Sequence, residues 1–155
     1  RGLVALTTFA ATGKDVWKEQ PLIEVPVEQT FSAGECDADP NSFVAQLPSD
    51  IRDRMGKSHS LLHLCFLEHF LLKRESSRFS SFLHAMPQSL AHLPLLTQLN
   101  LTEVLKGSYL LTDILKKRRD LAEQHDELAF LLPDFKEKVS LEDFLYTYCM
   151  VESHS

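Results

Sequence analysis

The chain has 155 residues, 44% of them hydrophobic and 25% charged, with a net charge of −6. That is the balance of one globular domain, or part of one, with enough apolar material for a core. The acidic excess argues against a nucleic-acid binder, and no run approaches the about 18 to 20 apolar residues of a membrane-spanning helix.

Three cysteines, Cys36, Cys65 and Cys149, are widely separated. Without a CxxC pair, neither a thiolate zinc cluster nor a disulfide framework is expected. Cys65 and Cys149 lie in apolar runs, where a thiol packs as a small hydrophobe. A reducing, intracellular setting follows as the expectation, in cytoplasm or nucleus, with nothing in the residues set against a plastid.

In chain order, the first part reads as β-structure. Gly2–Thr8 is β-prone and apolar, the tract 11–15 is a turn around Gly13, and Val16–Glu19 and Leu22–Val25 read as two further strands. Pro21 and Pro26 punctuate them, as at strand ends or edges. Three short strands cannot bury a core alone, so they must pack on the rest. Residues 32–49 read as a loop rich in Gly34, Asp37, Asp39, Pro40 and Asn41. Its acids Glu35, Asp37 and Asp39 suggest calcium, but the later glycine and the distal Glu of an EF-hand loop are missing, so a solvated loop is expected.

From Pro48 the period is helical. Ser49–Met55 is a short turn ended by Gly56, and Ser58–Glu75 is a strong helix. Leu61, Leu64, Phe66, Leu67 and Leu71 leave it no polar face, which marks it as the core helix. His59 and His63 share a face, as zinc ligands would, but no Glu follows the first of them as in a metalloprotease helix. Satisfied or exposed histidines are expected there, and no metal site is assigned. A short helical piece spans 77–86, and Pro87 and Pro94 bracket a loop. Asn100 or Thr102 can cap the next piece, which Gly107 interrupts. The longest helix runs from Ser108 to Leu132 and stops at Pro133. Its basic cluster 116–119 reads as a solvated face balanced by Glu123, Asp126 and Glu127. Ser140 and Asp143 frame a capping box for a last helix from Leu141 to about Glu152.

Several segments resemble SET-domain methyltransferases of the Rubisco large-subunit methyltransferase type. Arg1–Ala5 resembles the end of the family's G-x-G-L-x-A loop, and Val16–Pro26 the strands that close on a V-P or I-P pair. Phe79–Pro87 resembles its aromatic-x-P-Y-L-x-x-L-P segment, and Leu105–Leu111 its L-x-G-S-x-L-L segment. Ser140–Phe144 followed by Val151–His154 resembles the end of its helical insert. The matches are collinear over nearly the whole chain.

The resemblance implies an α+β fold: short N-terminal β-strands of an incomplete SET domain over 1–45, then a mainly α-helical insert over 46–155. It implies the front portion of a protein-lysine N-methyltransferase that uses S-adenosylmethionine (SAM), inactive as an isolated chain. Arg1, Gly2, Ser153 and His154 are the implied cofactor contacts, with no catalytic residue assigned. His154 stands where the family carries an arginine that reaches the SAM carboxylate. A histidine there is a pH-dependent partner that loses its charge near pH 6 to 7, whereas arginine stays charged. The implied partners are a protein substrate and the C-terminal SET portion, which would follow Ser155; neither membrane nor direct nucleic-acid contact is expected. From a different class, the apolar helix and the abrupt apolar end also fit a non-catalytic helical protein-interaction module.

Overall fold

The computed structural model describes residues 26, 30–56, 59–87, 89–97 and 100–154. The chain divides into two compact units, Arg1–Phe31 and Ser32–Ser155. The strands expected between Gly2 and Val25 lie outside the described residues, as do Arg1 and Gly2. Among the described residues every regular element is a helix and none is a strand. The α+β class is therefore corrected: what the structure defines is helical throughout. Apolar residues recurring at three and four, without alternation, give the described residues helix rather than strand.

The helices are α1 (Gly34–Asp37), α2 (Phe43–Gln46), α3 (Ser49–Gly56), α4 (Ser60–Leu71), α5 (Ser80–Ala85), α6 (Leu101–Val104), α7 (Tyr109–Leu131), α8 (Phe135–Lys138) and α9 (Leu141–His154). Helix α4 is the centre of the second unit. Its residues from His63 to Glu68 are all buried, so it has no solvent face in its middle. It packs most extensively on α9, then on α2 and α3, while α7 packs on α9 and α8. Leu64, Leu67, Phe135 and Phe144 are fully buried where these helices meet. Side chains of that size each contribute about 1.5 to 3 kcal/mol on burial.

Local signals set the boundaries of the longer helices, while the Asn100 side chain, a candidate cap for α6, makes no capping hydrogen bond. Gly107 takes a φ of 80°, the left-handed conformation that separates α6 from α7. Ser108 then caps α7, its hydroxyl accepting from the Leu110 amide at 3.2 Å. Ser140 caps α9 and accepts from the Asp143 amide at 3.1 Å. The reciprocal half of the box differs from the usual pattern, because the Ser140 hydroxyl itself donates to the Asp143 carboxylate at 2.6 Å. Helix α7 buries a narrow stripe, Ile114, Leu121 and Leu128, and leaves Leu110 and Leu115 half exposed.

The stretch expected as a plain loop, 32–49, holds α1 and α2 instead. Four-residue helices are too short to show a period and depend on tertiary partners. Ser42 supplies one: fully buried, it accepts from the Ala45 amide at 3.0 Å and donates to the Cys36 carbonyl at 2.6 Å. Glu68 of α4 supplies the other, its carboxylate accepting from the Phe43 amide at 2.8 Å. The cysteine expectation is also revised. Cys36 and Cys65 are joined by a disulfide with Cα atoms 5.8 Å apart, while Cys149 is free and buried. Their spacing in sequence hides that α1 folds back beside α4.

Candidate functional site

Helix α7 presents Lys117, Asp120, Gln124 and Glu127 at spacings of three and four, so they line one face. That face meets Tyr148 and Glu152 of α9 and His59, just before α4, around a cleft of about 790 Å³. A second cavity of about 430 Å³ adjoins it, shares Lys117, Tyr148 and Glu152, and is walled by Leu93, Cys149 and Ser153. Lys117 divides the two, its ammonium lying 4.6 Å from the Tyr148 ring centroid. A cation over an aromatic face is held electrostatically while its charge stays hydrated.

The larger cleft is acidic. Asp120, Glu123, Glu127 and Glu152 line it against Lys117 and His59. Glu152 lies 3.7 Å from His59 Nδ1, Glu123 lies 3.9 Å from Arg119, and Glu127 pairs with Arg54. These pairs are exposed and worth about 0 to 1 kcal/mol each, so an incoming cation can replace them.

The residues singled out from sequence fare differently. Arg1 and Gly2 fall outside the described residues, as does the side chain of His154. Ser153 lies on the wall of the smaller cavity, but its hydroxyl donates to the Met150 carbonyl at 3.0 Å within its own helix. Cys149 lines the same cavity, and burial, aided by the Glu152 carboxylate, raises its thiol pKa. It stays protonated at neutral pH and is a wall rather than a nucleophile.

His59 and His63 do not converge. His63 is buried and its Nε2 lies 3.1 Å from the Phe144 carbonyl and 3.0 Å from Thr147 Oγ1. A carbonyl only accepts, so Nε2 carries the proton and donates. His125 donates in the same way to the Val139 carbonyl at 3.0 Å. Both imidazoles tie helices together. Asp37 and Asp39 of the 32–49 stretch likewise face protein cations: Asp37 lies 3.6 Å from Arg52, and Asp39 accepts from Lys73 at 2.6 Å, while the Glu35 side chain lies outside the described residues. That hydrogen bond, with one from the Asn41 amide, holds the Asp39 carboxyl below its ordinary value.

Sequence reasoning missed the cleft because it read Glu123 and Glu127 as part of a solvated helix face. The signal was present in the spacing 117, 120, 124, 127, but the opposing wall comes from α9, thirty residues on. No family model, curated protein or solved structure matches this chain. Among the described residues no helix is long and apolar enough to cross a membrane.

Proposed function

We propose that this chain is the substrate-docking helical portion of a SAM-dependent protein-lysine methyltransferase, and that the acidic cleft receives a basic segment of the protein substrate. The cleft carries the docking part: four carboxylates line it with one lysine and one histidine, and the arginines that pair with Glu123 and Glu127 are held only by exposed contacts that an incoming cation can replace. Such a field draws in a lysine-bearing segment and orients it before transfer. The SAM part rests on the ordered resemblance of 79–87, 105–111 and 140–154.

In the reaction, the neutral amine attacks the sulfonium methyl, the carbon–sulfur bond breaks to leave a thioether, and the amine proton goes to solvent. The amine must be deprotonated and in line with the methyl at contact distance. The cleft helices would serve the docking that precedes this step, with Ser153 and His154 at the cofactor side. The cleft fits equally a helical interaction module that docks a basic segment without chemistry.

The deciding experiment gives labelled SAM and a lysine-peptide array to the 155-residue chain and to the longest natural product of its gene. Transfer by the longer product alone is the expected result. Transfer by neither, with basic peptides still bound, selects the interaction module. Equal transfer by both overturns the docking-portion reading. Asp120→Lys together with Glu152→Lys lowers peptide affinity in either case, and unchanged affinity removes the cleft from the account.

A further inference from the structure

Cys36 of α1 and Cys65 of α4 are fully buried. His69 follows Cys65 by four residues, so both side chains leave one face of α4. The two sulfurs and a ring nitrogen of His69 all lie within 4.8 Å of one another. Nδ1 of His69 is 2.9 Å from the hydroxyl of Ser77, itself a buried side chain. A disulfide needs only its two sulfurs. An imidazole beside them, with one ring N–H donated to a buried hydroxyl and the other nitrogen left to ligate, is the arrangement by which proteins fix a metal-ligating histidine.

We propose that Cys36, Cys65 and His69 form a redox-gated site for a thiophilic divalent cation of the zinc class, open in the reduced protein and closed by the disulfide. Opening requires a two-electron reductant: a dithiol gives two electrons and two protons and becomes a disulfide, or a phosphine gives two electrons and takes the oxygen of water, whose two protons complete the two thiols. The cation then displaces both thiol protons and binds the two thiolates and the imidazole, with water in the fourth position. The charge balances: two thiolates neutralise a divalent ion, so no uncompensated charge is buried. Sulfurs around tetrahedral zinc sit roughly 3.8 Å apart, a separation open to this pair only once the sulfur–sulfur bond is broken, which is what makes the site redox-gated. Thiolate with imidazole selects zinc-class ions over magnesium or calcium. A reducing compartment, where disulfides do not persist, holds the open form.

The test uses the untagged 155-residue chain, with Co²⁺ as spectroscopic probe and Zn²⁺ as competitor. After phosphine reduction under nitrogen, stoichiometric Co²⁺ gives sulfur-to-cobalt charge-transfer and tetrahedral d–d absorption, and Zn²⁺ abolishes both. The oxidised chain gives neither. Cys36→Ser and Cys65→Ser lose the charge-transfer band, and Cys149→Ser keeps it. Ser77→Ala weakens affinity about tenfold, the usual loss for an outer hydrogen-bonding partner. His69→Gln, which leaves the disulfide intact for purification, shifts the d–d bands and weakens affinity further. A reduced chain that loses helical circular dichroism and regains it with Zn²⁺ also supports the site. The proposal is overturned if the reduced, helical chain takes up no Co²⁺, if His69→Gln binds it unchanged, or if a chain unfolded by reduction stays unfolded with Zn²⁺.

Discussion

His63 and Phe144 meet twice. The His63 imidazole lies 3.1 Å from the Phe144 carbonyl, and the two rings stack at a tilt with centroids 4.5 Å apart. One residue is on α4 and the other on α9, so this pair fastens the two most extensively packed helices by main chain and side chain at once.

Burial lowers the His63 pKa from 6.5 to about 4, and the hydrogen bond to Phe144 opposes that shift without matching it. The unfolded chain therefore binds the proton first as pH falls. The stability His63 contributes is complete above about pH 6.5 and is lost progressively toward pH 4, by on the order of 3 kcal/mol. Urea midpoints measured between about pH 7 and pH 4.5 should fall accordingly, and His63→Gln should flatten the dependence. An unchanged slope in that variant would assign the effect to another group.

Glu68 is buried and accepts from the Phe43 amide at 2.8 Å and from Lys73 at 2.5 Å. Burial presses the Lys73 ammonium down, but its hydrogen bonds to Asp39 and Glu68 outweigh that and leave its pKa raised. Glu68→Ala strands the buried Phe43 amide and leaves the Lys73 ammonium with Asp39 as its remaining carboxylate, at a cost of about 1 to 3 kcal/mol. The loss reads out as a lower urea midpoint with an unchanged denaturant slope. A loss under about 0.5 kcal/mol would mean water replaces the carboxylate.

Phe144 is 1% exposed and lies within ring-contact distance of His63, His125 and Phe135. Phe144→Ala should cost about 3 to 5 kcal/mol, because three fixed rings around it cannot collapse into the cavity. Thermal unfolding checks the value, and Phe130→Ala is the comparison. Phe130 is 89% exposed, and that substitution should change stability by less than about 0.5 kcal/mol.

Gly107 has open space around the position of an added Cβ, yet its φ of 80° is unfavourable for any L side chain. Gly107→Ala should therefore cost about 1 kcal/mol through backbone conformation alone. Gly107→Asn should cost less, since asparagine tolerates the left-handed region. Equal losses for both, measured by urea denaturation, would point to a contact rather than to φ.

Much of the helical unit could be read from residues. Pro133 and Gly107 bound the long helix, Ser108 and Ser140 announce starts, and the polar-free middle of α4 marks it as the core. These are local signals, set by dihedral preference and by the pairing of first-turn amides within a few residues. The short helices α1 and α2 could not be read, since their partners Cys65 and Glu68 lie about a loop and a helix away. The acidic cleft was half legible, as the spacing on α7 and not as an enclosure.

The sequence by itself determined where the longer helices α4, α7 and α9 lie and that α4 must be buried, because caps, proline, left-handed glycine and apolar period act over a single turn. Only the tertiary structure decided that Cys36 meets Cys65 and His69, that His63 is closed off by Phe144, and that α7 and α9 enclose four carboxylates. Those are contacts between residues up to about eighty positions apart, and they depend on how whole helices dock, which no local spacing records.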